Sequence, residues 1–113
     1  MADDFPNDDN GDVLRNMFEA GDSLTVPRDV DFSLLFPGRT AARSFARKFS
    51  KVGCRVVVEL WDESDPNGQW DVTVTRHMLP EHTAIGQFEN ELAEAAEPLG
   101  GYNDGWGCFR ITN

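Results

Sequence analysis

Residues 70–78 read Trp-Asp-Val-Thr-Val-Thr-Arg-His-Met, and this stretch decides the fold. Trp70, Val72, Val74 and Met78 fall on one parity, whereas the residues between them are polar or charged. Because successive side chains of a β-strand point to opposite faces, this alternation predicts a strand with one dry and one solvated face. Residues 54–61 form a second β-rich run, and Pro66-Asn67-Gly68 is a turn signal. Together they predict a β-hairpin in the middle of the chain.

Two helical patterns and one strand pattern precede the hairpin. Asn7-Asp8-Asp9 offers N-cap chemistry for a first helix that ends at Gly21. Its apolar stripe is predicted to be Val13, Leu14, Met17 and Phe18. Residues 29–36 alternate as a strand, and residues 39–52 predict the most amphipathic helix of the chain. The inward face of that second helix is expected to comprise Ala41, Phe45, Phe49 and Val52.

After the hairpin, residues 80–97 predict a last helix, which Pro98 and Gly100-Gly101 end. Its inward face is expected to comprise Ile85, Phe88, Leu92 and Ala95. Residues 106–111 are short, aromatic and β-compatible, so they predict a final edge strand.

The resulting order is a helix followed by β-α-β-β-α-β. The last six elements form the ferredoxin-like, or split βαβ, arrangement, so the sequence predicts an α+β fold with an extra N-terminal helix. In it, one antiparallel sheet carries both long helices on one face, and the strand at 70–78 is interior. The opposite face is expected to bind a partner or the N-terminal helix. A length of 113 residues predicts one domain over residues 7–113, after a flexible tail of residues 1–6.

The charge balance is strongly acidic, with a formal net charge of -10 from 20 acidic and 10 basic residues. This balance opposes the basic surface typical of proteins that bind nucleic acid and suits a protein whose partner is basic. No apolar run is long enough to span a membrane, and no signal peptide is visible, so we expect a cytoplasmic protein that does not bind membranes. Cys54 and Cys108 are expected to be ordinary thiols.

Motifs for catalysis or metal binding are weak, so the sequence predicts neither an enzyme nor a cofactor or metal site. His77 and His82 lack converging carboxylates or thiols at ligand spacing. The loop acids Asp62, Glu63 and Asp65 lack the spacing of a calcium-binding loop. No phosphate-binding glycine loop and no nucleophile motif is present.

One segment departs from the acidic balance. Arg39, Arg43, Arg47 and Lys51 recur every four residues and form a basic stripe on the second helix. The stripe is a candidate contact for nucleic acid, although the overall charge favours a solvated helix face that pairs with acids elsewhere.

The least ordinary stretch is Gly100-Gly101-Tyr102-Asn103-Asp104-Gly105-Trp106-Gly107-Cys108-Phe109. Asn-Asp-Gly is a tight-turn signal, and the flanking glycines permit positive φ, which would leave the tryptophan held at a rigid turn. Trp106 then either plugs one end of the core or is presented to a partner, as tryptophan and tyrosine are at interface hot spots.

This turn, with the acidic helix before it and the Trp-Asp-Val-Thr-Val strand, resembles the signature of the RraB-like family, the regulators of ribonuclease E activity. Gly11-Asp12-Val13-Leu14 and Asp29-Val30-Asp31-Phe32 also resemble that family. The resemblance extends over residues 7–109. It implies a small acidic cytoplasmic protein with a ferredoxin-like core, which inhibits the bacterial endoribonuclease by protein contact rather than by catalysis.

The leading hypothesis is therefore a non-enzymatic regulator that docks onto a basic region of a ribonuclease. Its predicted partner-binding residues are Tyr102, Asn103, Asp104, Gly105 and Trp106, supported by Glu89, Glu91 and Glu94. Direct nucleic-acid binding through the basic stripe is the second hypothesis, and an immunity or antitoxin-type protein is the third. The oligomeric state does not follow from the sequence.

Overall fold

The computed structural model of the protein describes residues 8–22, 24–60 and 69–108. Its elements are α1 (Asp9–Glu19), β1 (Arg28–Phe36), α2 (Arg39–Lys51), β2 (Arg55–Leu60), β3 (Trp70–Met78), α3 (His82–Ala96) and β4 (Tyr102–Cys108). A single 3-10 turn, Glu97–Leu99, joins α3 to β4. The order of elements along the chain is the predicted one.

The four strands of the described residues form one sheet in the order β2-β3-β1-β4, and every neighbouring pair is antiparallel. These pairings confirm the α+β class. They also confirm that β3 is interior and β4 is an edge strand. β1 is the second interior strand, since it pairs with β3 on one side and with β4 on the other.

Both long helices pack on one face of the sheet. The Phe32 ring lies edge-on to the Phe88 ring of α3, with 4.9 Å between centroids, and the Phe36 ring lies 4.9 Å from that of Phe45 in α2. The buried core on this face comprises Leu14, Val30, Phe32, Leu34, Phe36, Ala42, Phe45, Phe49, Val72, Val74, Ile85, Phe88, Leu92 and Ala96. The alternation in β1 and β3 therefore selects the covered face.

The predicted inward faces of the long helices are wrong at Val52. Val52 follows the last residue of α2 as its C-cap, and its side chain is 70% exposed. Ala41 and Ala95 are partly buried and pack against the core, and their neighbours Ala42 and Ala96 are fully buried. The sequence does not distinguish the two adjacent alanines of either helix, because they are equally apolar.

α1 packs beside α3 and does not lie on the opposite sheet face. Leu14 is 1% exposed and reaches the core, whereas Val13, predicted to share its stripe, is 40% exposed. Asp8 is the N-cap, because its carboxylate accepts the backbone N–H of Gly11 at 2.8 Å. Gly21 follows the helix with φ at 101°, as predicted for its end.

β4 begins four residues before the predicted edge strand, so the expected tight turn at Asn103-Asp104-Gly105 is wrong. Ser33 pairs with Gly105 and Leu34 pairs with Asn103, which leaves Asp104 as an extra residue in a β-bulge. Gly105 has φ at 116°, a value that favours glycine. The glycine-containing turn signal therefore makes a bulge within the strand.

Several expectations fall outside the described residues. They are the flexible tail of residues 1–6, the Pro66-Asn67-Gly68 turn, the loop acids at 62, 63 and 65, and the end of the predicted last strand at 109–111.

Candidate functional site

The bulge in β4 separates the two aromatic residues of the predicted partner-binding site. Trp106 pairs with Phe32 and lies on the helix-covered face of the sheet. Tyr102 pairs with Leu35 and lies on the other face. In a regular strand, residues four positions apart share a face, so the extra residue Asp104 is what places the two rings on opposite sides.

Trp106 joins three elements on the helix-covered face. Its indole Nε1 donates to Asn10 Oδ1 of α1 at 2.8 Å, and the ring is half-buried against the core. Asn10 Nδ2 donates to Glu89 Oε1 of α3 at 2.6 Å. Asn103 Nδ2 donates to the backbone oxygen of Glu89 at 3.0 Å. These bonds tie α1, α3 and β4 together, so Trp106 partly plugs the end of the core, one of its two predicted roles.

Asn10 is a functional candidate that sequence reasoning missed. It lies in the first turn of α1, where an asparagine ordinarily faces solvent or the helix end. Nothing in its local sequence indicates a bond to a residue 96 positions away. Only the packing of α1 against α3 brings it to Trp106.

These residues line a cavity of about 550 Å³, which we call the Trp106 cavity. Its lining comprises Asp8, Asp9, Asn10, Val13, Glu89, Asn103, Gly105 and Trp106. The described lining contains three carboxylates and no basic side chain. An aromatic wall beside carboxylates is suited to a guanidinium or ammonium group, which the ring face and the carboxylate oxygens both attract.

Asp8 forms one rim of the Trp106 cavity. The backbone N–H of Gly11, and then the His82 side chain, lower the pKa of Asp8 from its ordinary value. His82 Nε2 lies 2.8 Å from Asp8 Oδ2, so the first residue of α3 is joined to the cap of α1. The carboxylate therefore stays charged well into the acidic range.

Glu91 and Glu94 lie apart from Glu89. They line a groove of about 650 Å³ between α2 and α3, together with the basic residues Lys48 and Arg76. The guanidinium of Arg76 sits over the Phe88 ring, 4.7 Å from its centroid. The groove is thus balanced in charge, and of the three predicted helix acids only Glu89 joins Trp106.

The predicted basic stripe is present on α2. Arg39, Arg43, Arg47 and Lys51 are all exposed. Arg39 lies over the Trp70 ring, with 5.8 Å between its Cζ and the ring centroid. None of the four forms an ion pair with another described residue, so the predicted pairing with acids elsewhere is absent from this part of the chain.

A buried ion pair was also missed by sequence reasoning. Arg28 Nη1 lies 2.6 Å from Asp22 Oδ2, and the side chains are 5% and 0% exposed. The pair closes the connection between α1 and β1, since Asp22 also accepts the backbone N–H of Leu24 at 3.0 Å. Its hydrogen bond to Asp22 raises the pKa of Arg28. The role of this pair is structural.

The two thiols are free, as predicted. Burial raises the pKa of both Cys54 and Cys108, which keeps them protonated at neutral pH. His77 is exposed and its Nδ1 lies 3.1 Å from Asp29 Oδ1, which makes it a strand-face residue as expected.

α3, with 15 residues, is the longest described helix, and no helix in residues 8–22, 24–60 and 69–108 has the length and hydropathy of a membrane span. No curated protein matches the chain significantly. The predicted family resemblance is nevertheless confirmed. The sequence profile of RraB, described as regulator of ribonuclease activity B, matches residues 7–108 and shows that the chain belongs to the RraB family.

Proposed function

We propose that the protein is a non-enzymatic regulator that lowers the activity of a ribonuclease by docking onto a basic region of that enzyme. Membership of a family of regulators of ribonuclease activity supports the general role. We propose in addition that the protein acts by contact with the nuclease rather than by catalysis. We also propose that the protein is cytoplasmic. The order β-α-β-β-α-β supports the further proposal that its fold is ferredoxin-like.

The Trp106 cavity is the observation that carries this proposal. Four of the predicted partner-binding residues, Glu89, Asn103, Gly105 and Trp106, line it together with carboxylates from α1. The space beside Gly105 is open, because a Cβ there would meet no atom within 4 Å other than those of its two chain neighbours.

A basic side chain of the ribonuclease is proposed to enter this cavity. Its charge would lie between Asp9 and Glu89, and its flat guanidinium or alkyl stem against Trp106. The net charge of -10 would steer the two proteins together and orient them. Inhibition would then follow from occupation of a basic surface that the nuclease also needs to hold RNA phosphates.

The test compares two variants with the same change in charge. Asp9→Asn/Glu89→Gln removes two charges from the Trp106 cavity, and the side-chain amide oxygen that Glu89→Gln introduces can still accept the Asn10 bond. Glu19→Gln/Glu97→Gln removes two charges from exposed positions outside it. The measurements are the affinity for the purified ribonuclease at low and high salt, and the rate of RNA cleavage. We expect salt-sensitive binding and slower cleavage with the wild-type protein and the control, and at least about tenfold weaker binding with the cavity variant.

Absence of binding to the nuclease at low ionic strength would reject the proposed function. Equal weakening by the two variants would reject the cavity as the contact while leaving a diffuse electrostatic attraction.

A second candidate function is direct binding of nucleic acid by the basic stripe. The observation in its favour is that four exposed cations on one helix have no ion-pair partner among the described residues. A gel-shift assay with single-stranded RNA at low salt separates the two candidates. Retardation that Arg43→Gln/Arg47→Gln abolishes, without any protein partner, would favour this reading.

A further inference from the structure

The face of the sheet away from the helices has no described element packed against it, because α1 lies beside α3. We call it the open sheet face. It consists of the odd-numbered residues of β1, β2 and β3, with Tyr102 and Asp104 of β4. The sequence left open whether α1 or a partner would cover this face, and the position of α1 removes the first of these possibilities.

One end of the open sheet face concentrates negative charge. Glu59 of β2 stands directly opposite Asp71 of β3, and Asp104 lies close enough to act on the Asp71 carboxylate. Like charges directly opposite each other destabilise an antiparallel pair. None of the three forms an ion pair with another residue of the described ranges. At the other end, by contrast, Arg55 and His77 lie 3.8 Å and 3.1 Å from Asp29.

The two outer strands of this face also expose apolar side chains. Tyr102 is 49% exposed and Val57 is 44% exposed, and both belong to the few large apolar side chains on the described surface. Leu35 lies between the strands that carry them and is 6% exposed. Exposed apolar side chains on the two outer strands therefore flank the carboxylates, which is a composition suited to binding a basic and partly apolar chain.

The raised pKa of Asp71 indicates that this arrangement of charges is unfavourable in the free protein. Burial raises its pKa, the Thr73 hydroxyl at 3.2 Å opposes the shift, and the charges of Asp104 and Glu59 raise it further. The free protein thus keeps a carboxylate where its charge is disfavoured. A cation brought by a partner would relieve that cost.

We propose that the open sheet face binds an extended segment of the partner whose alternate side chains, those that face the sheet, include both arginine or lysine and apolar residues. The basic side chains lie against Glu59, Asp71 and Asp104, and the apolar ones lie on Val57 and Tyr102. The inference rests on the proposed function only in assigning the segment to the ribonuclease.

Nucleic acid does not fit this surface, since its phosphates would face the carboxylates. The α2 stripe of a second copy is basic, but its cations repeat along a helix rather than along an extended chain.

The experiment uses the full-length protein labelled with 15N and a synthetic peptide in which every second residue is in turn arginine or valine and the residues between them are serine. The same peptide with glutamate in place of arginine is the control ligand. Asp71→Asn/Asp104→Asn is the test variant, and Glu19→Gln/Glu97→Gln, with the same change in net charge, is the control variant. Binding constants and amide chemical shifts are measured at two salt concentrations.

We expect the basic peptide, and not the acidic one, to shift amides of β3 and β4. We also expect the test variant to bind it at least about tenfold more weakly than the control variant. Shifts confined to α1 and the Trp106 cavity, equal affinities for both variants, or self-association that Arg43→Gln/Arg47→Gln removes would each overturn the inference.

Binding measurements with the ribonuclease distinguish failure of this inference from failure of the proposed function. If the nuclease binds the wild type and the test variant equally, the open sheet face is not its contact, although the proposed function stands. If the peptide binds this face and the nuclease does not bind at all, the site stands and the proposed partner is wrong.

Discussion

The two faces of β4 differ in what their side chains do. On the helix-covered face, Trp106 and Asn103 are committed to bonds with Asn10 and with the backbone of Glu89. On the open sheet face, the hydroxyl of Tyr102 donates a long bond of 3.4 Å to Gln69, its one side-chain bond within the described ranges, and Asp104 is exposed. One strand therefore holds the fold together on one side and leaves charge and aromatic surface available on the other.

This difference separates stability from binding. Changes on the helix-covered face should lower the free energy of unfolding, because they break bonds between elements. Changes to Glu59, Asp71 or Asp104 on the open sheet face should leave the fold intact or stabilise it, because they remove repulsion between like charges.

Asp22→Ala is expected to lower the free energy of unfolding by about 3 kcal/mol, since it removes the carboxylate from a buried guanidinium. Urea unfolding followed by circular dichroism measures the change. Asp12→Ala is the control, because it removes an exposed ion pair with Arg15 at 3.0 Å and should cost no more than about 0.5 kcal/mol. Equal costs for the two variants would contradict a structural role for the buried pair.

Asn10→Ala is expected to lower the free energy of unfolding by about 1 to 3 kcal/mol, because it leaves the indole N–H of Trp106 without its acceptor and removes the donor to Glu89. Denaturant unfolding monitored by tryptophan fluorescence measures it. Asn90→Ala changes the same residue type at an exposed site of α3 and should stay within about 0.5 kcal/mol of the wild type. If Asn10→Ala is equally mild, α1 is not held by this bond.

Asp71→Asn is expected to stabilise the protein by about 0.5 kcal/mol at neutral pH, since it removes a like charge opposite Glu59. The gain should shrink as the pH falls, because the raised pKa of Asp71 means that the wild type recovers the lost stability once this group is protonated. Asp29→Asn on the same face removes a carboxylate beside Arg55 and His77 and should bring no gain. A loss of stability in Asp71→Asn would contradict the like-charge interpretation.

The smallest expected effect is the pH dependence of the α1 cap. The pKa of Asp8 is lowered in the folded protein, so its contribution is present above the ordinary value of 3.8 and is lost as the pH falls through the folded value. Asp8→Asn should flatten the stability profile in this acidic range. Comparison of wild type and variant by thermal unfolding at several acidic pH values measures it, and parallel profiles would reject the role of Asp8.

The sequence predicted those features of the fold that depend on periodicity. The alternation in residues 70–78 predicted the interior strand, and Phe45, Phe88 and Leu92 marked the covered faces of the helices. Periodicity did not predict which of two adjacent alanines, such as Ala41 and Ala42, is fully buried, because the two are equally apolar.

The candidate site was predicted only in part, because its residues are gathered by tertiary packing. The Asn-Asp-Gly-Trp stretch identified Trp106 and Asn103, but the same Asn-Asp-Gly signal serves a tight turn and a bulge equally well. Asn10 is joined to Trp106 across 96 positions, a distance over which no local pattern carries information. Glu89 lines the Trp106 cavity and Glu91 lines the groove between α2 and α3, because the two side chains lie on different sides of α3.

The bulge at Asp104 also makes this strand tolerant of a change in length. Asp104 has no cross-strand partner, so a chain that lacks it could keep Asn103 opposite Leu34 and Gly105 opposite Ser33. Such a deletion would remove one negative charge from the outer surface and leave the tryptophan where it is. Insertion or loss of a single residue here can therefore change the binding surface of the domain without changing its fold.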